Sequence, residues 1–318
     1  MRVIVVLGPG GVGKTTISAA IAVKLSKNAK TALITVDPAK RLKSALSIDI
    51  DEIKEVRKNL WATQVDKFKE FSDFAQKYGI SEISKTKLFK IAADMLPSEE
   101  YASFLKIIEI YNMGFDYIVV DTPPSLKFIS FVSAPQKILS LFETDAIRYF
   151  LEIAGRAGKR FSGPISIAGR ILSADFVVEF ANFLANLKSI FSQMKEVSEK
   201  ARKILKGENT VFIGVASPYD RKIEELLEVI EEAEKLDINI KQIIINRYLD
   251  FSDDGIPINS PDGVVNLHQE LVKFSSKTRE QVKTLQLKGF KVFLVEELFK
   301  DIVSIPVLEE FSEKIEFV

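Results

Sequence analysis

The segment Gly8-Pro9-Gly10-Gly11-Val12-Gly13-Lys14-Thr15-Thr16 decides the fold class of this chain. It follows an apolar run from Val3 to Leu7 and precedes a helical pattern from Ile17 to Leu25. A strand, a glycine-rich loop and a helix in this order, with the spacing G-x-x-x-x-G-K-[ST], predict a phosphate-binding P-loop. The alternative is an ordinary glycine-rich turn, and the complete motif argues against it. The segment therefore predicts a site for a nucleoside triphosphate.

The residue types of this segment suit phosphate binding. Glycines let the backbone turn so that several N–H groups face one anion, and the helix N-terminus adds about half a positive charge. Lys14 is expected to reach the β- and γ-phosphates and to assist catalysis, and the Thr15 hydroxyl is expected to ligate Mg²⁺. The predicted nucleotide-binding residues of the loop are Gly10, Gly11, Val12, Gly13, Lys14, Thr15 and Thr16.

Composition indicates a globular protein with few options for metal chemistry. Of the 318 residues, 47% are hydrophobic and 28% are charged, which supports one large α/β domain or two small ones. The formal net charge is zero, so no overall field attracts nucleic acid or an anionic membrane. The sequence has no cysteine and one histidine, which excludes disulfides, iron–sulfur clusters and cysteine-bound zinc.

The beginning of the sequence shows no targeting pattern. The first strand and its P-loop start at once, which is unlike a signal peptide. No uninterrupted run of about 18 apolar residues is present, so no transmembrane helix is predicted. We therefore expect a cytoplasmic protein without direct membrane insertion.

Two acidic residues follow predicted strands. Asp37 ends the strand predicted over Lys30 to Val36, where Pro38 disfavours helical geometry. Asp121 ends the apolar run that begins at Phe115. Open α/β sheets bind ligands at the carboxyl ends of their strands, so both carboxylates are candidates for the nucleotide site. A carboxylate such as Asp121 suits a Walker B role, holding Mg²⁺ directly or through water. The alternatives are an ordinary Asp-Pro turn and an ordinary strand end.

The remaining pattern continues the α/β alternation around a large helical block. We predict an α/β fold: a P-loop NTPase with a mostly parallel sheet flanked by helices and an inserted helical subdomain. Residues 1–318 are expected to form a single P-loop ATPase domain, with helical insertions at about 67–112 and 125–206. Further predicted elements are strands over 60–65 (a short edge strand), 210–216, 241–245 and 302–305, helices over 220–236 and 266–288, a break at Pro97 and a loop over 251–263.

A phenylalanine-rich helical face lies within the second insertion. Its apolar residues recur at steps of three and four, which places them on one side of a helix. They are Phe176, Phe180, Phe183, Leu184, Leu187, Phe191 and Met194. Two interpretations stay open: the face packs into the protein core, or it forms a nucleotide-gated groove for a hydrophobic helix.

Three motifs, GPGGVGKTT at 8–16, VDPAKRL at 36–42 and VVDTPPS at 119–125, together resemble the arsenite-pump ATPase (ArsA) family. This family includes the ATPase that targets tail-anchored membrane proteins. The resemblance extends over most of the chain, with IIINR at 243–247 and SIPVL at 304–308 as further matches. It implies hydrolysis of ATP with Mg²⁺, and dimers that close on ATP and open after hydrolysis.

The resemblance also implies roles for individual residues. Asp37 corresponds to the aspartate that positions and activates the attacking water, and it is the predicted catalytic residue beside Lys14. Asp121 and Thr122 correspond to the segment that senses the γ-phosphate, with Thr15 and Asp121 as predicted Mg²⁺ ligands. The predicted nucleotide-binding residues outside the P-loop are Asn246, which contacts the adenine edge, the adjacent Arg247, and Pro306 and Val307, which cover the base.

The chain departs from the family pattern in two ways. Pro9 stands where the family's P-loop has a second lysine that reaches the partner subunit, and proline has no N–H to donate. Lys40 and Arg41 are candidates to replace that charge, and we expect slow hydrolysis without a partner. Since there is no cysteine, neither the family's thiol metalloid site nor the zinc clasp of its targeting-factor dimers can form.

Several functions remain open from the sequence. We favour a dimeric switch, a homodimer or a heterodimer with a paralogue, that couples ATP hydrolysis to a hydrophobic protein client or a partner bound by the helical subdomain. The alternatives are a low-turnover nucleotide-binding scaffold serving a lysine-bearing paralogue, a partitioning ATPase of the MinD or ParA kind, and a small-molecule ligase or kinase. The acidic end at 309–318 and the lack of a long basic stripe argue against membrane and nucleic-acid partners.

Replacing Asp37 with asparagine tests the expected water-positioning role. We expect Asp37→Asn to retain ATP binding and to lose nearly all turnover, because the amide keeps the side-chain shape but is no base. Calorimetric titration with ATP and a phosphate-release assay measure the two effects. Loss of binding together with turnover would show that the role of Asp37 is structural.

Overall fold

One β-sheet carries the predicted P-loop near its centre. The structure, a computed structural model, describes residues 1–36, 52–77, 98–143, 192–252, 261–299 and 304–317. The strands are β1 (Arg2–Leu7), β2 (Thr31–Thr35), β3 (Lys54–Arg57), β4 (Leu60–Gln64), β5 (Tyr117–Asp121), β6 (Thr210–Ala216), β7 (Ile240–Tyr248) and β8 (Lys291–Glu296). They form one eight-stranded sheet in the order β3-β4-β2-β5-β1-β6-β7-β8. Every neighbouring pair is parallel except β3 and β4.

The described helices follow the strands as in other α/β proteins. They are α1 (Lys14–Ser26), α2 (Lys67–Lys77), α3 (Ser98–Asn112), α4 (Leu126–Glu143), α5 (described over 192–205), α6 (Lys222–Glu234), α7 (Asp262–Leu287) and α8 (Ile305–Glu313). None of the helices in these ranges combines the length and apolar character needed to cross a bilayer.

Strand β1 occupies the middle of the sheet because both of its faces are apolar. Residues Val3 to Leu7 are all buried, and a continuous run of branched apolar residues is typical of a parallel strand covered on both sides. Strand β1 pairs with β5 and β6, and β5 pairs with β2 so that Thr35 lies opposite Asp121. Parallel strands end at the same edge, so the carboxyl ends of β1, β2 and β5 meet there.

The fold class predicted from the sequence is confirmed by this sheet. The strand before the P-loop, the strand ending at Asp121 and the strands over 210–216 and 241–245 all form close to their predicted bounds. The helices predicted over 220–236 and 266–288 also form, as α6 and α7.

Three details of the predicted topology were wrong. The strand over 60–65 forms as β4 but is not at the edge, because β3 pairs outside it. Strands β3 and β8 were missed; β3 has only four residues, Lys-Glu-Val-Arg, and no apolar alternation to reveal it. Residues 302 and 303 lie outside the described ranges, whereas Ile305 begins helix α8 instead of ending a strand. Pro306 fits there because the first helical turn needs no N–H from it.

The chain divides into two compact units. The sheet unit comprises residues 1–64, 113–129 and 206–318, and the helical unit comprises residues 65–112 and 130–205. One domain with two helical insertions stays a prediction. Of the phenylalanine-rich face, residues 176–191 lie outside the described ranges and Met194 is buried. The break predicted at Pro97 also lies outside them, immediately before α3.

Aromatic side chains fill the described part of the helical unit. Phe104 stacks on Phe131 with ring centroids 4.7 Å apart. Phe71 and Phe74 both lie 5.9 Å from the ring of Tyr101, which is buried. Helices α2, α3 and α4 are therefore joined by ring contacts, which add to ordinary apolar burial.

A buried ion pair joins α2 to α3 in the helical unit. The ammonium of Lys106 lies 2.8 Å from a carboxylate oxygen of Glu70 and 2.8 Å from one of Glu109. The side chains of Lys106 and Glu70 are 8% and 5% exposed. Burial lowers the pKa of Lys106, but its hydrogen bonds to Glu109 and Glu70 outweigh that effect and leave the pKa raised. The lysine is therefore charged in the folded protein.

Neutralising Lys106 should strongly destabilise the helical unit. Lys106→Met keeps the side-chain length but leaves the Glu70 carboxylate buried without a counter-charge, which costs about 3–5 kcal/mol of unfolding free energy. Urea unfolding measures this loss. The loss should shrink as the pH falls through the pKa of Glu70, which burial raises above its ordinary value, because protonated Glu70 needs no counter-charge.

Lys195→Met is the matched control, since Lys195 is 58% exposed and lies 4.0 Å from Glu199 on α5. Its expected effect is at most about 1 kcal/mol. Equal effects of the two substitutions would contradict the importance of the buried pair.

Candidate functional site

The loop between β1 and α1 is shaped by two close approaches of the backbone. Gly8 has φ +149°, and a Cβ there would lie 2.1 Å from the carbonyl oxygen of Val215 on β6. Gly13 has φ +91°, and a Cβ there would lie 2.5 Å from Nδ2 of Asn246. At Gly8 a side chain would collide with the backbone, so packing and conformation both require glycine there, whereas at Gly13 the positive φ favours glycine and a Cβ would displace the Asn246 amide.

The lysine of the loop folds back onto the loop itself. Lys14 is 6% exposed, and its ammonium donates a hydrogen bond of 2.9 Å to the carbonyl oxygen of Pro9. Gly10 and Gly11, between the two, are exposed. The charge of Lys14 is therefore held beside backbone that is open to solvent, an arrangement suited to an anionic ligand.

A buried carboxylate connects three elements at the carboxyl edge of the sheet. Asp121, at the end of β5, is 1% exposed. Its Oδ2 accepts a 2.8 Å hydrogen bond from the Thr15 hydroxyl on α1 and a 2.9 Å hydrogen bond from the Thr35 hydroxyl at the end of β2. Its backbone carbonyl accepts a further bond of 2.9 Å from the N–H of Val36. The structure thus brings the two predicted metal ligands, Thr15 and Asp121, into direct contact.

Sequence reasoning missed Thr35. Nothing in the local pattern distinguishes it from any other polar residue at a strand end, because its contact with Asp121 depends on the pairing of β2 with β5. Its position two residues before Asp37 was the one available signal. Asp37 itself, with Lys40 and Arg41, lies outside the described residues.

The segment after Asp121 runs along the P-loop. The Thr122 hydroxyl donates a 2.7 Å bond to the carbonyl oxygen of Val6 on β1, and Thr122 is fully buried. The N–H of Ser125 donates a 3.2 Å bond to the carbonyl oxygen of Gly8. This segment is therefore tied to the strand and to the loop that would hold a phosphate.

The end of β7 also reaches the P-loop. Asn246 is 6% exposed, and its side-chain amide donates a 2.8 Å hydrogen bond to the carbonyl oxygen of Val12. Arg247 is exposed, has φ +62° and lies at a register shift between β7 and β8. Its Nε is 3.7 Å from a carboxylate oxygen of Glu297. Of the two predicted residues, Asn246 contacts the loop and Arg247 faces the end of β8.

Pro306 and Val307 lie in the first turn of α8, where Pro306 is exposed and Val307 is half-buried. An ion pair between Lys27 and Glu313 attaches α8 to α1, and a 2.6 Å hydrogen bond from Lys24 to the carbonyl oxygen of Ile315 attaches the residues that follow α8. These contacts fix the helix that carries the two residues, and their place at a nucleotide base stays a prediction.

The donor set at this edge fits a hard cation that is shared with a phosphate ligand. Hydroxyl and carboxylate oxygens such as those of Thr15 and Asp121 suit Mg²⁺, which commonly takes one or two protein oxygens and completes its shell with phosphate and water. Within the described ranges, no group of three or more His, Cys, Asp or Glu side chains could hold a metal ion.

Comparison with known proteins agrees with this geometry. Residues 1–316 match the family described as anion-transporting ATPase. An ATPase ASNA1 homolog of Dictyostelium discoideum is 26% identical, with 98% of this chain and 89% of that protein aligned. A putative arsenical pump-driving ATPase of Chlorobaculum tepidum is 23% identical over 99% of this chain and 75% of that protein. The ATPase get3 of Schizosaccharomyces pombe is 26% identical over 78% of this chain and 74% of that protein.

The resemblance drawn from the three sequence motifs is thereby confirmed. The P-loop segment follows strand β1 of the eight-stranded sheet, and Asp121 ends strand β5. The family match covers residues 1–316, which include all eight strands of that sheet. We conclude that this chain belongs to the anion-transporting ATPase (ArsA ATPase) family and is an ATPase.

Proposed function

We propose that this ATPase is a nucleotide-dependent switch, in which ATP bound with Mg²⁺ at the P-loop controls the helical unit. The observation that carries the proposal is the pair of hydrogen bonds to Asp121, from Thr15 on the P-loop helix and from Thr35 at the end of β2. One carboxylate thus links the phosphate loop to the two chain segments that follow β2 and β5. Binding or loss of the terminal phosphate would therefore alter the position of both segments.

The loop supplies the phosphate site. Lys14 and the backbone N–H groups of the loop neutralise and orient the triphosphate, because donors held in place need no rearrangement when charge develops on it. The residues proposed to bind the phosphates are Gly10, Gly11, Val12, Gly13, Lys14, Thr15 and Thr16. Asn246, Arg247, Pro306 and Val307 are proposed to bind the base.

Thr15 and Asp121 are the residues that would hold Mg²⁺. When bound, the ion neutralises part of the negative charge that develops on the phosphates during transfer. Thr35 keeps the Asp121 carboxylate oriented toward the loop. Asp37 follows Thr35 by two residues, and we propose that it orients the attacking water, since the chain leaves β2 at the same edge of the sheet as the P-loop.

Helix α4 is the proposed route from the site to the helical unit. It begins at Leu126, five residues after Asp121, and its residues from Ser130 onward belong to the helical unit. The segment before it is tied to Val6 and Gly8 by hydrogen bonds. We propose that a nucleotide-dependent shift of residues 121–125 reaches the helical unit through α4, because α4 follows these residues directly in the chain.

A dimer and a hydrophobic protein client are the partners we propose. The support is the resemblance to a family that includes targeting factors, together with relatives named ASNA1 homolog and get3. Other relatives are named arsenical pump-driving ATPases. The 318 residues contain no cysteine, so binding of an arsenical through thiolates is not available to this chain.

A low-turnover scaffold is the second candidate function. Pro9 stands where the family has a second P-loop lysine, and the carbonyl oxygen of Pro9 accepts a hydrogen bond from Lys14. Hydrolysis that appears only on mixing with a lysine-bearing paralogue would favour the scaffold over the self-sufficient switch.

Removing the Lys14 ammonium tests the phosphate site. We expect Lys14→Ala to weaken ATP binding and to lower turnover by about 10²–10³-fold, because a preorganised donor to the developing charge is lost. Calorimetry and phosphate release measure the two effects. Lys241→Ala is the control, since Lys241 is exposed on β7 next to its amino end and should change neither quantity. Unaltered ATP binding by Lys14→Ala would contradict the assignment.

Removing the Thr35 hydroxyl tests the orientation of Asp121. We expect Thr35→Val to raise the Mg²⁺ concentration needed for tight ATP binding by about 10–100-fold, as is usual when a group that orients a metal ligand is lost. Thr35→Ser keeps the hydroxyl and should remain close to wild type. Calorimetric ATP titrations at a series of Mg²⁺ concentrations provide the measurement. An unchanged Mg²⁺ requirement in Thr35→Val would show that Thr35 only fills space.

A further inference from the structure

The hydrogen bond from Asn246 to Val12 ties the end of β7 to the P-loop backbone. The donor is the side-chain amide, the acceptor is the Val12 carbonyl oxygen, and the two atoms are 2.8 Å apart. Asn246 is 6% exposed and Val12 is buried. Gly13 makes the approach feasible, because any Cβ at position 13 would lie 2.5 Å from the amide nitrogen. The buried hydrogen bond and the glycine at position 13 together show that the contact between Asn246 and the P-loop is specific.

This bond orients one peptide unit of the loop. The carbonyl of Val12 and the N–H of Gly13 belong to the same peptide plane and point in opposite directions in a trans peptide, and no described peptide is cis. Holding the carbonyl toward Asn246 therefore directs the N–H of Gly13 to the other side of the loop. Gly13 is one of the residues we assign to the phosphates.

We infer that Asn246 is a positioning residue for the phosphate loop, acting through the Val12–Gly13 peptide, in addition to any contact with the base. The inference rests on the proposed function of the P-loop. It assigns the buried amide a role that does not require a base: the N–H of Gly13 is held ready for an anion by a side chain 233 positions away in the sequence.

The amide has capacity for both roles. An asparagine side chain has two N–H donors and one carbonyl acceptor, and the contact with Val12 uses one donor. The remaining donor and the acceptor suit the edge of an adenine. Asn246 would then link base recognition to phosphate recognition. A base that holds the amide in place would also hold its hydrogen bond to Val12, and that hydrogen bond would in turn orient the amide for the base.

A ligand without a base separates the two roles. Inorganic tripolyphosphate with Mg²⁺ reaches the loop but offers nothing for a base contact. We expect Asn246→Ala to weaken tripolyphosphate binding about tenfold, which corresponds to about 1.4 kcal/mol, and to weaken ATP binding by more. Isothermal titration of the full-length chain with both ligands provides the measurement. Lys241→Ala, on the exposed part of the same strand, should bind both ligands as wild type does.

Asn246→Asp provides a test that does not depend on altered packing. The carboxylate has nearly the same shape but cannot donate to the Val12 carbonyl, so tripolyphosphate binding should be weaker than in wild type at neutral pH. The protonated acid can donate, so the ratio of its affinity to that of wild type should rise toward one as the pH falls through the pKa of the new carboxyl group. Because a carboxylate would also repel the phosphates, the uncharged isostere Asn246→Leu completes the test: loss of the hydrogen bond weakens its tripolyphosphate binding at every pH, whereas a purely space-filling role leaves that binding at the wild-type level. If Asn246→Ala does not fold, these two variants carry the test.

The outcomes are distinct. Loss of ATP affinity with unchanged tripolyphosphate affinity in the uncharged Asn246 variants would overturn the positioning role and leave only a base contact. Wild-type protein that binds ATP but not tripolyphosphate would also overturn it, because the loop would then not be held ready without a base. Wild-type protein that binds neither ligand would overturn the proposed function itself, and this inference with it.

Discussion

The Asp121 carboxylate, held by two threonine hydroxyls inside the protein, is the interaction on which the site depends. A carboxylate buried to 1% exposure is costly unless its oxygens are hydrogen-bonded or paired with a cation. The bonds from Thr15 and Thr35 offset part of that cost and also fix the direction of the carboxylate. This one side chain brings together the P-loop helix, the end of β2 and the end of β5.

The sheet order makes that convergence possible. Strand β5 lies between β1 and β2, so the strand that leads into the P-loop and the strand that leads toward Asp37 flank the strand that ends in Asp121. All three run parallel, and their carboxyl ends share one edge. On the other side of β1, β6 and β7 bring Val215 against Gly8 and Asn246 against Gly13. The loop is thus supported from both sides by strands distant in sequence.

The helical unit differs from the sheet unit in how it is held together. The described part of the sheet unit relies on branched aliphatic residues packed on both faces of parallel strands. The described part of the helical unit uses stacked aromatic rings and a buried lysine between two glutamates. A buried ion pair adds little net stability but penalises arrangements that separate its members. The pair therefore favours the arrangement of α2 and α3 in which Lys106 lies beside Glu70.

The sequence by itself determined the P-loop, the strands on either side of it and the family, because local spacing and apolar runs carry that information. It also placed Asp121 at the end of a strand, where the structure has it. It could not show β3, which is too short and too charged to form an apolar pattern, nor the helical start of α8 at Ile305. Thr35 and the contact between Asn246 and Val12 were decided by tertiary structure alone. Both depend on which strands lie side by side, and strand order is set by packing across the whole sheet, which no short stretch of sequence encodes.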